Sequence, residues 1–144
     1  KMYAGVGKST LDSTAQLVTM IQFPALLKNQ GSGYERMEKR KALALPMLNV
    51  AVVVSLSGER FEWARIAIAP VGPGPVRATE AEAMLKGAEV TKEIIEKAAQ
   101  AAKAQANPRS SAVRGSREYR LDVLPVLVRR ALETAVAQAR NNCK

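Results

Sequence analysis

Apolar residues in the first half of the chain recur with the period of two that is typical of β-strands. Residues 16–24 alternate in this way until a proline stops them, which predicts one strand. Two longer strands are predicted over 43–56 and 61–69, because valine- and leucine-rich runs there flank a tight-turn sequence at 57–60.

Glycine and proline mark the breaks around these strands. The glycine-containing stretch 29–33 is predicted to be a loop. Residues 34–41 are predicted to form either a short polar strand or an extension of that loop. The sheet is expected to end at 70–76, since this segment is too rich in proline and glycine for a helix or a central strand.

The period changes to that of an α-helix in the second half. Thr79 is predicted to cap a short helix over 80–86, with Glu82 at the capping-box position and Gly87 at the C-terminal end. Thr91 is predicted to cap a second helix over 92–106.

A third and longer helix is predicted after a polar turn that contains Gly115, with Ser116 as its N-cap. Pro125 removes one hydrogen bond inside it and is expected to bend the helix or to begin a fresh first turn. One face of this helix is apolar and comprises Leu124, Leu127, Val128, Ala131, Leu132 and Ala135.

These elements predict an α+β fold. Three or four antiparallel strands come first and three helices follow, so the expected architecture is a two-layer sandwich with the helices packed on the sheet. The chain of 144 residues has 47% hydrophobic and 24% charged residues. This length and composition fit one globular domain with a sizeable core.

The single cysteine, Cys143, excludes an internal disulfide and provides no metal cluster, so a reducing compartment is expected. No apolar run approaches the length of a membrane span, and the N-terminus has no signal-peptide core. From these observations the protein is expected in the cytoplasm, with no membrane partner.

A net charge of +9 raises the hypothesis of a nucleic-acid-binding module. The excess of lysine and arginine lies at the two ends of the chain, and its densest run is 36–41. Glu38 interrupts that run, and no aromatic residue beyond Tyr34 is interleaved to stack on bases. A solvated strand edge or loop is therefore favoured over a phosphate-binding patch.

No motif in the chain predicts a self-contained catalytic site. The GVGKST sequence at 5–10 resembles a nucleotide-binding loop, but Met2 occupies the position of its first glycine and no buried strand precedes it. The chain has no histidine, so a Ser–His or Cys–His nucleophile pair is excluded. The residues alone therefore predict a module without chemistry of its own.

Four blocks of sequence, in order, resemble the C-terminal half of the FAD-binding (medium) subunit of molybdenum hydroxylases, the family of xanthine dehydrogenase and aerobic carbon monoxide dehydrogenase. Together they cover nearly the whole chain. The blocks are GVGKS at 5–9 with LVTMIQFP at 17–24; GSGYERMEKRKAL at 31–43 with NVA at 49–51; ARIA at 64–67 with PGPVRA at 73–78; and VRGSREYR at 113–120 with VRRAL at 128–132.

The resemblance implies that residues 1–15 lead in from an upstream FAD-binding domain and that 16–144 form a C-terminal domain of the carbon monoxide dehydrogenase flavoprotein type. Such a domain closes over FAD, which it shares with the upstream domain. It helps to pass electrons from iron–sulfur centres to an acceptor. The implied partners are the iron–sulfur subunit and the molybdopterin subunit of the same complex. No metal is expected in this chain, and it would be enzymatic only as part of that complex.

The resemblance also implies which residues face the cofactor. The backbone of Leu17 and Val18 would line FAD, and Tyr34 and Arg36 would lie near the edge of the isoalloxazine ring. Arg36 occupies a position at which the family commonly has a lysine, and Ala44 a position at which the family usually has an acidic residue. The effect of these two differences on the redox potential of the flavin is left open. Two alternatives from other classes are a flavin-free interaction module of the same fold and a basic nucleic-acid-binding module.

Overall fold

The computed structural model describes residues 3–5 and 8–142. Its strands and helices follow in the order β1 (Tyr3–Gly5), β2 (Lys8–Ser9), β3 (Gln30–Met37), β4 (Leu48–Ser57), β5 (Arg60–Ala69), β6 (Val76–Arg77), α1 (Thr79–Leu85), α2 (Lys92–Ala104) and α3 (Arg117–Asn142). Strands β3 to β6 form an antiparallel sheet in sequence order, and the helices pack on one face of it. The predicted α+β two-layer sandwich is confirmed.

The centre of the sheet is the β4–β5 hairpin. Alternate residues of both strands are buried under the helices, as the period of two predicts: Leu48, Val50, Val52, Val54, Ala64, Ile66 and Ile68. Gly58 turns the chain with a φ of 59°, which glycine adopts without strain. The predicted hairpin is therefore confirmed, although β4 begins at Leu48 rather than at residue 43.

Strand β3 lies so close to helix α3 that only glycine fits at two positions. A Cβ atom added to Gly33 would lie 1.9 Å from the carbonyl oxygen of Ala131, and one added to Gly31 would lie 2.0 Å from that of Ala135. The loop predicted over 29–33 is thus wrong, because these glycines permit a close backbone approach and do not form a turn. Of the two alternatives for 34–41, the strand holds as far as Met37.

The strand predicted over 16–24 is also wrong. These residues form no regular secondary structure. Their alternating pattern has no neighbouring strand to pair with, and a strand needs a partner for its backbone N–H and C=O groups. In the predicted lead-in, Asp12 forms a turn in which its carboxylate accepts bonds from the N–H and hydroxyl of Thr14. Residues 1–2 and 6–7 of the lead-in lie outside the described residues.

Two of the three predicted helix caps are present. The Thr91 hydroxyl oxygen accepts the N–H of Ile94 at 3.3 Å, and the Ser116 hydroxyl oxygen accepts the N–H of Tyr119 at 3.2 Å. The predicted cap at Thr79 is wrong, since the N-cap of α1 is Ala78 and makes no side-chain bond. Helix α3 continues through Pro125 without a fresh first turn.

Two buried charges hold the ends of the layers together. Arg120 is 2% exposed and donates from Nε to the Met47 carbonyl at 3.0 Å and from Nη1 to the Arg109 carbonyl at 2.9 Å. Its Nη2 donates to the carbonyl of Pro70. One guanidinium therefore joins the start of α3 to three loops that are distant in sequence.

The Glu82 carboxylate fixes α1 to the edge of the sheet. It accepts the N–H of Ile66 at 2.8 Å and pairs with the Arg77 guanidinium at 2.6 and 2.5 Å. Burial opposes the charged form, but the bonds from Arg77 and Ile66 and the nearby charge of Arg65 outweigh it and hold the pKa of Glu82 below its usual range.

Within residues 3–5 and 8–142, no helix has the length and apolarity needed to cross a membrane. The same residues contain no group of three or more acidic or cysteine side chains that could hold a metal ion.

Replacing Gly33 with alanine is expected to destabilise the protein by about 3 kcal/mol, the upper end of the usual range for overpacking, since the new methyl group meets helix backbone and not a flexible side chain. Thermal or urea unfolding measures the effect. Gly5→Ala is the matched control, because a Cβ there meets nothing within 4 Å. Equal stability of the two variants would contradict the close strand–helix contact.

Glu82→Gln is expected to cost about 1–3 kcal/mol at pH 7 by removing charge-assisted hydrogen bonds. The pKa of Glu82 is lowered on folding, so its contribution is present above the unfolded pKa of about 4.3 and is lost as the pH falls through the lower folded value. The difference from the unmodified protein should therefore shrink below about pH 4 in a series of unfolding curves. Glu80→Gln, on the exposed side of the same helix turn, should change the stability by less than about 0.5 kcal/mol at any pH.

Candidate functional site

An exposed apolar segment precedes the sheet. Leu17 and Phe23 are each 86% exposed and Ile21 is 80% exposed, and Met20 and Leu27 also face solvent. Residues 17–26 make no hydrogen bond to any other residue that the structure describes. A globular domain rarely leaves so continuous an apolar surface uncovered, so the segment has the character of a contact surface.

Leu17 and Val18, two of the four residues predicted to face a cofactor, lie on this segment. Val18 is half-exposed and Leu17 is nearly fully exposed. Because their backbone N–H and C=O groups are bonded to nothing in the described part of the chain, these groups remain available to a ligand or to another segment of protein.

Tyr34 and Arg36, the other two predicted residues, lie on β3. They are two positions apart on a strand, so both side chains project from the outer face of the sheet, away from the helices. Their cross-strand neighbours are Ala51 and Asn49. Tyr34 is 58% exposed, and the small side chain of Ala51 leaves the surface beside its ring open.

The guanidinium of Arg36 is held in place by its surroundings. Nη2 donates to the Ala44 carbonyl at 2.7 Å, and Nε lies 2.7 Å from a Glu38 carboxylate oxygen. The carbonyl of Ala44 therefore contacts this arginine at the position where an acid was expected from the family pattern. Arg36 presents a positive charge of fixed position, partly balanced by Glu38.

Of the four residues predicted to face the cofactor, only two lie on the same strand. Tyr34 and Arg36 share the outer face of β3, whereas Leu17 and Val18 lie on the separate segment before it. The rest of the outer face is composed of small or half-buried residues, among them Val53, Ala67 and Ala69. Trp63 also lies on this face, with the Arg65 guanidinium 5.8 Å from its ring centre.

Sequence reasoning missed the structural importance of Arg120 and Glu82. The sequence indicates Arg120 only as part of a motif and Glu82 only as a capping-box residue. Arg120 donates to the carbonyls of Met47 and Pro70, and Glu82 accepts the N–H of Ile66, so these partners are too distant in sequence for a local pattern to reveal them. A buried position on the apolar side of α3 is the one signal that could have marked Arg120.

Comparison with known proteins gives one consistent result. Residues 33–135 match the family described as the CO dehydrogenase flavoprotein C-terminal domain. The chain is 36% identical over 126 residues to the carbon monoxide dehydrogenase medium chain of Afipia carboxidovorans, an overlap of 88% of this chain and 43% of that protein. It is 26% identical over 137 residues to the xanthine dehydrogenase FAD-binding subunit of Escherichia coli O157:H7, covering 95% and 47% of the two chains.

The fold matches as well. The solved carbon monoxide dehydrogenase from Hydrogenophaga pseudoflava superposes with a TM-score of 0.85 at 34% identity, over 94% of this chain and 46% of that one. The chain thus spans about half the length of the relatives it matches.

Proposed function

The chain belongs to the family of CO dehydrogenase flavoprotein C-terminal domains, and from that membership we propose that it forms one wall of a FAD site in an oxidoreductase subunit. Residues 16–144 would be this wall, and 1–15 the connection to an upstream domain that holds the rest of the cofactor. Its matched relatives are about twice as long, which supports such a division.

The observation that carries the proposal is the exposed apolar segment. Side chains such as Leu17 and Phe23, each 86% exposed, cost free energy in water and would be covered in the complete protein. The segment comes directly before the sheet, so a domain upstream of it would lie close to both. An upstream domain, and the cofactor between the two domains, would cover the exposed apolar segment.

The residues present fit one side of a flavin. Leu17 and Val18 offer apolar surface and unpaired backbone groups, which suit the ring and its polar edge. Tyr34 offers an exposed aromatic ring, and Arg36 a fixed positive charge. In the described residues no glycine-rich loop leads into a helix in the way that cradles a diphosphate, so the upstream domain would supply that part.

When bound, FAD would supply the electron transfer, and this chain would supply orientation and electrostatics. Arg36 would favour a more negative ring through its charge, and its bond to the Ala44 carbonyl would keep that charge in place. The exposed segment would exclude water from one side of the ring. These are binding and positioning roles.

We further propose that the complete subunit works in a molybdenum hydroxylase complex, in which it passes electrons from iron–sulfur centres to an acceptor. Its partners would be an iron–sulfur subunit and a molybdopterin subunit; the name medium chain, which a relative carries, supports a complex of several chains. A cytoplasmic location fits the lone Cys143.

The 144-residue chain alone is expected to purify colourless and to bind FAD weakly. Without a loop that binds the diphosphate, the two negative charges of FAD would contact only scattered lysine and arginine side chains. In the high dielectric of the surface, each such contact contributes little to the binding free energy. Titration should give no saturable quenching of flavin fluorescence at micromolar protein. The same chain joined to its upstream domain should purify yellow. Stoichiometric FAD on the short chain would contradict the divided site, and a colourless long form would favour a flavin-free interaction module.

In the flavin-loaded subunit, Arg36→Ala is expected to lower the flavin midpoint potential, because a positive charge beside the ring favours the reduced, more negative form. Arg130→Ala, at an exposed position on the helical layer, is the matched control and should leave the potential unchanged. Spectroelectrochemical titration measures both. An equal shift in the two variants would show that Arg36 acts only through the net charge.

A further inference from the structure

A pocket of about 780 Å³ opens where the end of the sheet meets the start of α3. One wall is apolar and comes from the segment after β5, with Pro70, Val71, Pro73 and Val76. The polar lining residues are Gln105, Asn107, Arg109, Ser110, Ser111, Arg114 and Arg120. The volume of the pocket lies in the range of pockets that hold small organic ligands.

All charged side chains that line the pocket are arginines. In the described part of the chain, no carboxylate lies within ion-pair distance of Arg109, Arg114 or Arg120. Burial, and after it the charge of Arg114, lowers the pKa of Arg120. The two guanidinium groups therefore repel each other, and the protein provides no acid to compensate.

Arg114 has hydrogen-bonding capacity that the described residues do not use. Its Nε is buried and has no partner, although buried polar atoms are nearly always bonded. The guanidinium of Arg120 differs, because each of its nitrogens already donates to a carbonyl. The guanidinium groups of Arg114 and Arg109 both line the pocket and make no hydrogen bond or ion pair with a described residue, so a ligand could engage them, while Arg120 adds positive charge.

Two serine hydroxyls can add neutral donors. Ser110 accepts the N–H of Arg117 at 3.0 Å, and Ser111 accepts the N–H groups of Val113 and Arg114 at 3.3 and 3.2 Å. These bonds fix the oxygen positions. Neither hydroxyl donates to a described residue, so each proton is available to an acceptor in the pocket.

We propose that this pocket binds a phosphate group, either as free phosphate or as the phosphate of an ester such as a nucleotide. A phosphate carries close to two negative charges and accepts several hydrogen bonds, which matches uncompensated arginines beside two serine donors. The apolar wall offers contact area to the organic part of an ester. The pocket shares none of Leu17, Val18, Tyr34 or Arg36, and the proposal does not depend on flavin binding.

The test is calorimetric titration of the 144-residue chain at constant ionic strength with inorganic phosphate, adenosine monophosphate and adenosine. Phosphate, the nucleotide or both should bind saturably, and adenosine should not. A nucleotide that binds more tightly than phosphate would show that the pocket also contacts the organic part of an ester; equal or weaker binding of the nucleotide would show that only the phosphate group is recognised. In either case Arg114→Gln should weaken binding by about tenfold or more, as expected for the loss of a charged hydrogen-bond donor.

Arg114→Lys, which keeps the charge but not the fork of donors, should show an intermediate loss. Arg130→Gln carries the same change at an exposed site on α3 and should bind like the unmodified chain. Unfolding curves show whether each variant is folded, and Arg120 is left intact because it holds three loops together. Absence of binding by both phosphate compounds, or an equal loss in Arg114→Gln and Arg130→Gln, would overturn the proposal.

Discussion

The contact between the backbones of β3 and α3 determines the rest of the structure. Gly31 and Gly33 place strand backbone directly against the carbonyls of Ala135 and Ala131, with no side chain between them. This contact fixes the axial position and the rotation of the long helix. Gln138, one turn further on, then reaches the N–H of Ser32 at 2.7 Å and occupies a donor on the edge strand. At the other end of the helix, the same placement brings Arg120 to its three loop carbonyls.

Packing all three helices on one face has a functional consequence. The inner face of the sheet becomes a closed core, whereas Tyr34 and Arg36 on the outer face are exposed. The apolar segment at 17–27, which precedes the sheet, is exposed as well. An exposed apolar segment that leads into the sheet, together with exposed residues on the outer face, is what one half of a divided site would present, with the other half completing the burial.

The sequence predicted those parts of the fold that depend on neighbouring residues. The β4–β5 hairpin follows from a period of two around Gly58, and the caps at Thr91 and Ser116 follow from local hydrogen bonds. The prediction of a loop over 29–33 is wrong because a glycine usually indicates a turn. Here Gly31 and Gly33 are needed for the close approach of a helix that lies about a hundred residues away in sequence.

The same distinction explains how much of the site was foreseen. That Tyr34 and Arg36 share a face follows from their spacing once β3 is known to be a strand. The fixed position of Arg36 was not predictable, since it depends on the path of the connection that brings the Ala44 carbonyl back. Residues 16–24 alternate like a strand, but alternation describes only the segment, and pairing needs a partner that the described residues do not provide.

The net charge of +9 also changes its meaning once the fold is known. The basic runs at 36–41 and 109–120 are far apart in sequence, yet β3 ends where α3 begins, and the Lys39 ammonium donates to the Ala112 carbonyl at 3.0 Å. They form a single basic end of the domain. Such a concentrated field attracts small anions and raises their rate of encounter with an adjacent pocket. A polynucleotide would require a longer basic track with several aromatic residues to stack on bases, and Tyr119 is the one aromatic residue within 36–41 and 109–120.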